Sequence, residues 1–238
     1  LPNAQVIVST HSPVLASSVK IDRLIHLVGK EDSISSTTIS QKGFDNSDAE
    51  SYINRWLDVT KSTMLFSRGI ILVEGIAEVL VLPKLAEIIL QKYNQNCEES
   101  QRLASTLDEM GVSVININGI NFKHFMKLFG NFEGSFGPNI PIYCSGLTDR
   151  DPGKDDSNKD IYPEKDKEVE SKNPIVAIKG QIDSNEWTRL FVSPLKTFEY
   201  DLATYNPMLL ATVLKSVWPT QKGSVCTELE KIIARGNS

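Results

Sequence analysis

The sequence contains the segment Gly69-Ile70-Ile71-Leu72-Val73-Glu74-Gly75, an apolar run that ends in an acidic turn. A helical pattern follows over 77–92, with Pro83 near its first turns as a kink or a late start. Further apolar runs at 112–117 and 141–147 are typical of buried strands. Strands that alternate with helices form right-handed βαβ units. We therefore predict an α/β fold with a parallel sheet that helices cover on both faces.

Weaker patterns predict the remaining elements. Further strands are predicted at 175–178 and 189–192, and further helices at 98–110, 121–129, 206–218 and 227–235. Phe122, Phe125, Met126 and Phe129 recur at helical spacing and are expected to pack inward. Upstream we predict a buried strand at 5–8, a helix opening at 13–19, a hairpin of 21–28 with 34–39, and a connector helix at 45–61 with capping candidates Asp45, Asn46 and Ser47.

Length and composition limit the class of protein. The 238 residues suit one large domain or two small ones, and 25 Lys and Arg against 30 Asp and Glu give a net charge of −5. This charge argues against a general basic coat for non-specific nucleic-acid binding, but it does not exclude a local basic groove. Because no run of 18 apolar residues and no signal peptide occur, we expect a cytoplasmic protein without a membrane span. Cys97, Cys144 and Cys226 are far apart and are expected to be core thiols.

Acidic residues follow the predicted strands at the places where ligands bind in α/β sheets. Glu74 follows the strand 70–73, and Asp149 and Asp151 follow the strand 141–147. Glu199 follows 189–192 after a few residues, and Glu78 lies one helical turn beyond Glu74. Carboxylates crowded at one sheet edge repel one another, and a divalent cation such as Mg²⁺ or Mn²⁺ relieves that repulsion. The alternative interpretation is an ordinary turn at 149–151 and a solvated Glu78, and only the joint placement favours the metal site.

The sequence segments around these acidic residues resemble those of a known protein family. Leu72-Val73-Glu74-Gly75 with Glu78, and Leu147-Thr148-Asp149-Arg150-Asp151, resemble the topoisomerase-primase (TOPRIM) metal-binding domain. The segments 56–60, 119–122 and 196–202 resemble the OLD (overcoming lysogenization defect) family of nucleases. Proteins of that family join an N-terminal ABC-type ATPase to a C-terminal TOPRIM nuclease, and the resemblance covers nearly the whole chain.

The resemblance implies roles for individual residues. Glu74, Asp149 and Asp151 are expected to be catalytic, and with Glu78 and Glu199 they would bind one or two metal ions, Ser193 adding a neutral oxygen. The family also places a lysine in a Lys-Gly-x-x-Ala stretch, which Lys222-Gly223 does not continue. We expect that lysine to lie outside this chain, with Lys196 as a weaker candidate.

The first residues resemble part of an ABC-type ATPase. Ser9-Thr10-His11-Ser12 follows an apolar run, as the switch-histidine segment does in those enzymes, so His11 is predicted to be a nucleotide-binding residue. No G-x-x-x-x-G-K-[ST] motif occurs, so ATP is expected to act only in the intact protein. We interpret the chain as a C-terminal piece with the ATPase remnant at 1–44, a connector at 45–68, the TOPRIM domain at 69–205 and C-terminal helices at 206–238.

Basic residues near the acids are candidates for DNA contact. Lys123 and Lys127 lie one turn apart, predicted to be opposite the aromatic stripe, and Arg150 lies between the two aspartates. Solvated surface lysines are the commoner explanation for any single one of them. The stretch 149–172 holds nine acidic and six basic residues and is predicted to be a solvated loop.

The function expected from this sequence is that of a metal-dependent DNA endonuclease that an ATPase region regulates. DNA and that N-terminal ATPase region are the expected partners, with a homo-oligomer formed through the latter. One rival is a TOPRIM primase or topoisomerase fragment, although no segment supplies a clear catalytic tyrosine. The rival from another class is a non-catalytic module that binds Mg²⁺ and recruits a partner protein.

Overall fold

The structure is a computed structural model of the chain. It describes residues 4–30, 32–39, 47–133, 139–167, 169–218, 227–228, 230–231 and 233–234. The chain divides into two compact units, of which the first comprises 1–147 and 175–191 and the second 148–174 and 192–238. No helix among the described residues is both long enough and apolar enough to cross a membrane.

A parallel sheet forms the centre of the fold, as predicted. Its strands are β3 (Gly69–Val73), β4 (Val112–Asn116), β5 (Tyr143–Thr148) and β6 (Thr188–Val192), in the order β4-β3-β5-β6. The central strand β3 pairs in parallel with both neighbours, so that Val73 lies opposite Asn116 on one side and Leu147 on the other. Backbone bonds from Cys144 N to Trp187 O and from Ser193 N to Thr148 O show that β6 also runs parallel to β5. β3 is apolar and almost wholly buried, as a strand covered on both faces must be.

Helices connect these strands and follow the last of them along the chain. In chain order the helices are α1 (Pro13–Ser17), α2 (Ser47–Trp56), α3 (Val59–Ser62), α4 (Ile76–Gln95), α5 (Phe122–Met126), α6 (Pro174–Ala177), α7 (Lys179–Asp183), α8 (Phe198–Tyr205) and α9 (Pro207–Val217). The predicted helix at 77–92 is confirmed as α4 with Pro83 inside it, and the one at 206–218 is confirmed as α9. The predicted aromatic stripe packs inward, since Phe122, Phe125 and Met126 on α5 and Phe129 just beyond its end are fully buried.

The first forty residues only partly match expectation. The hairpin is confirmed as β1 (Ile25–Lys30) paired antiparallel with β2 (Ser33–Thr38). The predicted buried strand at 5–8 is wrong, because Val6, Ile7 and Val8 are each at least 65% exposed and form no strand. An apolar run becomes a strand only where another strand pairs with its backbone, and none of the described strands does so here.

The predicted connector helix is two helices instead of one. Between α2 and α3 the chain turns at Asp58, whose carboxylate accepts from the backbone N–H of Lys61 at 2.8 Å and caps α3. The capping candidates Asp45 and Asn46 lie outside the described residues, and so does the side chain of Ser47.

Of three other predicted elements, two are wrong and one lies partly outside the described residues. The helix expected at 98–110 is wrong, since that stretch forms one short 3₁₀ turn at Glu99–Gln101 followed by turns. The strand expected at 175–178 is wrong, because Pro174 opens the short helix α6; an apolar run this short has no readable period. The helix expected at 227–235 lies partly outside the described residues. Conversely, α8 was not predicted; Thr197 caps it by accepting from Tyr200 N.

Candidate active site

Glu74 and Glu78 belong to the first unit and lie around the turn after β3. The carbonyl oxygen of Glu74 accepts a hydrogen bond from Gly119 N at 3.1 Å, which ties this turn to the one after β4. Glu78 is only 6% exposed, and a Cβ added to Gly75 would lie 3.1 Å from its Oε2. Glu78 therefore folds back over the turn in the first turn of α4, where the helix dipole favours an anion. It is not the solvated helix residue of the alternative interpretation.

Asp149 belongs to the second unit and follows β5. Its Oδ1 accepts from the backbone N–H of Phe198 at 3.0 Å, and the hydroxyl of Ser193 lies 3.5 Å from the same oxygen. Phe198 is the first residue of α8, so the carboxylate lies at the positive end of a helix. These contacts hold the carboxylate in one orientation and stabilise its charge.

Asp151 is held in an unusual backbone conformation. Its φ is +47°, in the left-handed region that costs most side chains free energy. Backbone hydrogen bonds on both sides maintain it: Asp151 N donates to Lys196 O at 3.4 Å, and Asp151 O accepts from Lys172 N at 2.8 Å. Arg150 N also donates to Lys196 O, at 2.9 Å. The surrounding loop thus imposes the turn that carries the two aspartates.

Two further polar residues hold this turn, and the sequence analysis missed both. Asn173 is buried, and its Nδ2 donates to Thr148 Oγ1 and to Asp149 O, each at 2.9 Å. Asp201 is buried as well, and its carboxylate accepts from Leu195 N and Lys196 N. Asp201 lies two residues beyond Glu199, which is exposed in the first turn of α8. The acidic pair was visible in the sequence, but nothing local distinguished the buried member from the exposed one.

The basic residues proposed for DNA contact are placed differently from expectation. Lys127 is buried, not displayed opposite the aromatic stripe, and its Nζ lies 3.3 Å from Glu133 Oε2. Lys123 is partly exposed and lies 3.8 Å from the same oxygen. The Arg150 side chain donates to Ser193 O and Val169 O, at 3.0 and 2.9 Å, and so braces the loop. His11 is exposed in the first unit, and Lys222-Gly223 lie outside the described residues.

The donor set has the chemistry of a hard-cation site. Within the described part of the chain, no group of three or more His, Cys, Asp or Glu side chains is spaced to hold a metal ion. Mg²⁺ commonly binds through one or two carboxylates and keeps the rest of its shell for water and substrate phosphate. Asp149 and Asp151, two carboxylates on one braced turn, fit that kind of open site.

Comparison with known proteins shows what parts of this chain are similar to. Residues 65–151 match the model of the TOPRIM domain of overcoming lysogenization defect protein-like proteins. The C-terminal region of the OLD protein of Xanthomonas campestris pv. campestris is 23% identical, with a TM-score of 0.45 over 74% of each chain. The corresponding region of the Burkholderia pseudomallei OLD protein is 24% identical, with a TM-score of 0.32 over 71% of this chain and 82% of that one. No protein of curated function matches the sequence.

Proposed function

We propose that this chain is the nuclease part of a metal-dependent DNA endonuclease, because residues 65–151 match the model of an OLD-like TOPRIM domain. The observation that carries the proposal is the pair of aspartates on the turn after β5, held by the α8 N-terminus and the Lys196 carbonyl. Glu74, which follows β3, is proposed as the third catalytic residue because Leu72-Val73-Glu74-Gly75 resembles the TOPRIM domain. TOPRIM domains in general bind divalent cations such as Mg²⁺.

Each residue has a defined task in this mechanism. Asp149 and Asp151 would hold Mg²⁺ or Mn²⁺ in an open site, and the resemblance to the TOPRIM domain implies Glu74, Glu78 and Glu199 as further ligands of one or two ions. A cation bound there would supply positive charge to the scissile phosphate and would lower the pKa of the attacking water. Phe198 N and Ser193 Oγ keep Asp149 in a single orientation, so the carboxylate does not need to reorganise when substrate arrives.

The wider setting is also part of the proposal. The segment Ser9-Thr10-His11-Ser12 is similar to the switch-histidine turn of ABC-type ATPases. We propose that it belongs to an ATPase region of a longer cytoplasmic protein, which binds ATP, forms the homo-oligomer and regulates cleavage. The domain boundaries at 44, 68 and 205 are proposed with it.

Nicking of supercoiled plasmid tests the proposed function directly. With Mn²⁺ or Mg²⁺ the chain, extended to include the lysine that the family places beyond it, should convert supercoiled DNA to the relaxed form, and EDTA should stop the conversion. Asp149→Asn keeps the shape of the side chain and removes its charge, so we expect nicking to fall by roughly a hundredfold or more, the several kcal/mol that a catalytic cation contributes.

Asp156→Asn is the matched control. It removes the same charge from an exposed position of the same loop and should nick like the parent chain. If Asp149→Asn nicks as fast as its parent, the catalytic assignment is wrong. A chain extended to include the missing lysine that binds Mn²⁺ without cleaving DNA would support the non-catalytic module instead.

A further inference from the structure

We infer that Tyr162 and Lys196 form a stacking clamp for an unpaired nucleotide of the DNA strand. The inference rests on the proposed function and names its substrate class, namely DNA whose strand is single or locally splayed at the point of binding. Both residues belong to the second unit, as do Asp149 and Asp151.

The clamp pairs an exposed aromatic ring with a cation. The Nζ of Lys196 lies 3.8 Å from the centroid of the Tyr162 ring, and Tyr162 is 63% exposed. The ring of Tyr200 lies 5.9 Å away at an angle of 45°. The exposed part of the Tyr162 ring offers π surface to a base, and Lys196 offers positive charge to the adjoining phosphate. Proteins that bind single strands combine the same two features.

The loop that carries Tyr162 is anchored without the Tyr162 side chain. The hydroxyl of Tyr200 donates to Pro163 O at 2.8 Å and so fastens the neighbouring residue of the loop to α8. Burial of Pro163 supports the same attachment. Tyr162 is therefore exposed to solvent on an ordered backbone. Because the loop is already ordered, stacking of a nucleotide on Tyr162 costs little conformational entropy.

Lys196 places the clamp beside the two aspartates. Its carbonyl accepts the amide hydrogens of Arg150 and Asp151, and its own amide donates to Asp201 Oδ1 at 3.1 Å. One residue thus braces the proposed metal-binding turn through its backbone and reaches the Tyr162 ring through its side chain. A nucleotide held on Tyr162 would have its phosphate next to the turn that carries Asp149 and Asp151.

A cavity in the same unit provides space for a nucleotide. It has a volume of about 730 Å³, and its lining combines Arg150 and Lys167 with Asp166, Glu170 and Tyr205 but does not include Tyr162 or Lys196. A second cation lies over one of these rings, with Lys165 Nζ 5.2 Å from the Tyr205 centroid. Nucleotide-sized ligands occupy cavities of roughly 300–1,000 Å³ that combine apolar walls with a few polar groups.

The arrangement favours an unpaired strand over an intact duplex. Bases in a duplex are stacked on their neighbours, so a protruding tyrosine reaches a base face only where the strand is single or splayed. Backbone contact with a duplex would need a broad basic surface, whereas the chain has a net charge of −5 and the loop 149–172 holds nine acidic residues. A few cations placed on aromatic rings suit one strand better.

Fluorescence anisotropy in EDTA tests the inference, because binding is then measured without cleavage. The probes are a labelled single-stranded oligonucleotide and the corresponding blunt duplex. We expect tighter binding of the single strand, a loss on the order of tenfold in Tyr162→Ala, and recovery to within about twofold in Tyr162→Phe, which keeps the ring. Lys196→Gln should weaken binding and lower the slope of log affinity against log salt by about 0.7, one phosphate contact on a single strand.

Two variants in the first unit serve as matched controls. Tyr93→Ala removes another exposed tyrosine and Lys84→Gln another exposed lysine, both on α4, and neither should change single-strand binding. If Tyr162→Ala binds like the parent, or the duplex binds more tightly than the single strand, the clamp is wrong while the proposed nuclease stands. If the parent binds neither probe, the inference and the proposed DNA substrate both fail.

Discussion

His26 is a single residue whose environment makes a pH-dependent contribution to stability. It lies half-buried on β1, and the hydrogen bond between its Nε2 and Leu65 O measures 2.8 Å. Burial lowers the pKa of His26 below its usual value of 6.5, and the bond to the Leu65 carbonyl opposes that effect only in part. The folded chain therefore holds the imidazole neutral at a pH where the unfolded chain begins to protonate it.

The sign of the pH effect follows from this difference. Because the unfolded state binds the proton more readily, the free energy of unfolding should decrease as the pH falls below 6.5. Above that pH the neutral His26 should make its full contribution to stability. His26→Gln keeps a donor toward Leu65 O and cannot titrate, so its urea-unfolding midpoint should vary less between pH 7 and 5. His11→Gln, at an exposed position, should vary like the parent. Identical pH profiles for the parent and His26→Gln would remove His26 from the explanation.

At the scale of one element, the packing around Gly146 explains why β5 carries a glycine at that position. A Cβ at Gly146 would lie 2.9 Å from Leu190 Cδ1 and 3.3 Å from Phe122 Cδ1. The strand therefore leaves room there for side chains of α5 and β6. The sequence showed a glycine in the middle of a strand, but only the packing shows what it makes room for.

Alanine substitutions at two strand glycines test this explanation. Gly146→Ala forces buried neighbours apart and should lower the free energy of unfolding by about 1–3 kcal/mol in urea titrations. Gly29→Ala in β1 meets nothing within 4 Å and should be neutral or stabilising by up to about 1 kcal/mol. Equal effects of the two substitutions would show that close packing at Gly146 is not the cause.

At the scale of the whole molecule, metal binding should be coupled to global stability. A ligand stabilises a protein only through its affinity for the folded state, by about 2.7 kcal/mol at a hundred times its Kd. For a chain of this length that corresponds to a rise in Tm of roughly 5–10 °C. Calorimetric scans with Mn²⁺ should show this rise for the parent and for Asp156→Asn, and a smaller rise for Asp149→Asn. A rise of the same size in all three would place the metal elsewhere.

The features that could be predicted from the sequence are local ones. An unbroken apolar run predicted β3, a helical period predicted α4, and aromatic residues at helical spacing predicted the buried stripe that begins on α5. The placement of Glu74 and Asp149 after parallel strands followed from the same patterns, because a carboxylate directly after a strand needs no distant contact to be located. The metal-binding roles of these residues stay predictions.

Tertiary structure alone decided which polar side chains are buried and what they hold. Asp149 accepts from Phe198, 49 residues later, and no local pattern encodes a contact of that separation. Lys127 and Asp201 are buried as well, which the sequence pattern did not indicate. The sequence by itself therefore determined the strands, the main helices and the positions of the acids, because these depend on neighbouring residues. The orientation of those acids depends on backbone groups far away along the chain, and it became visible only in the folded molecule.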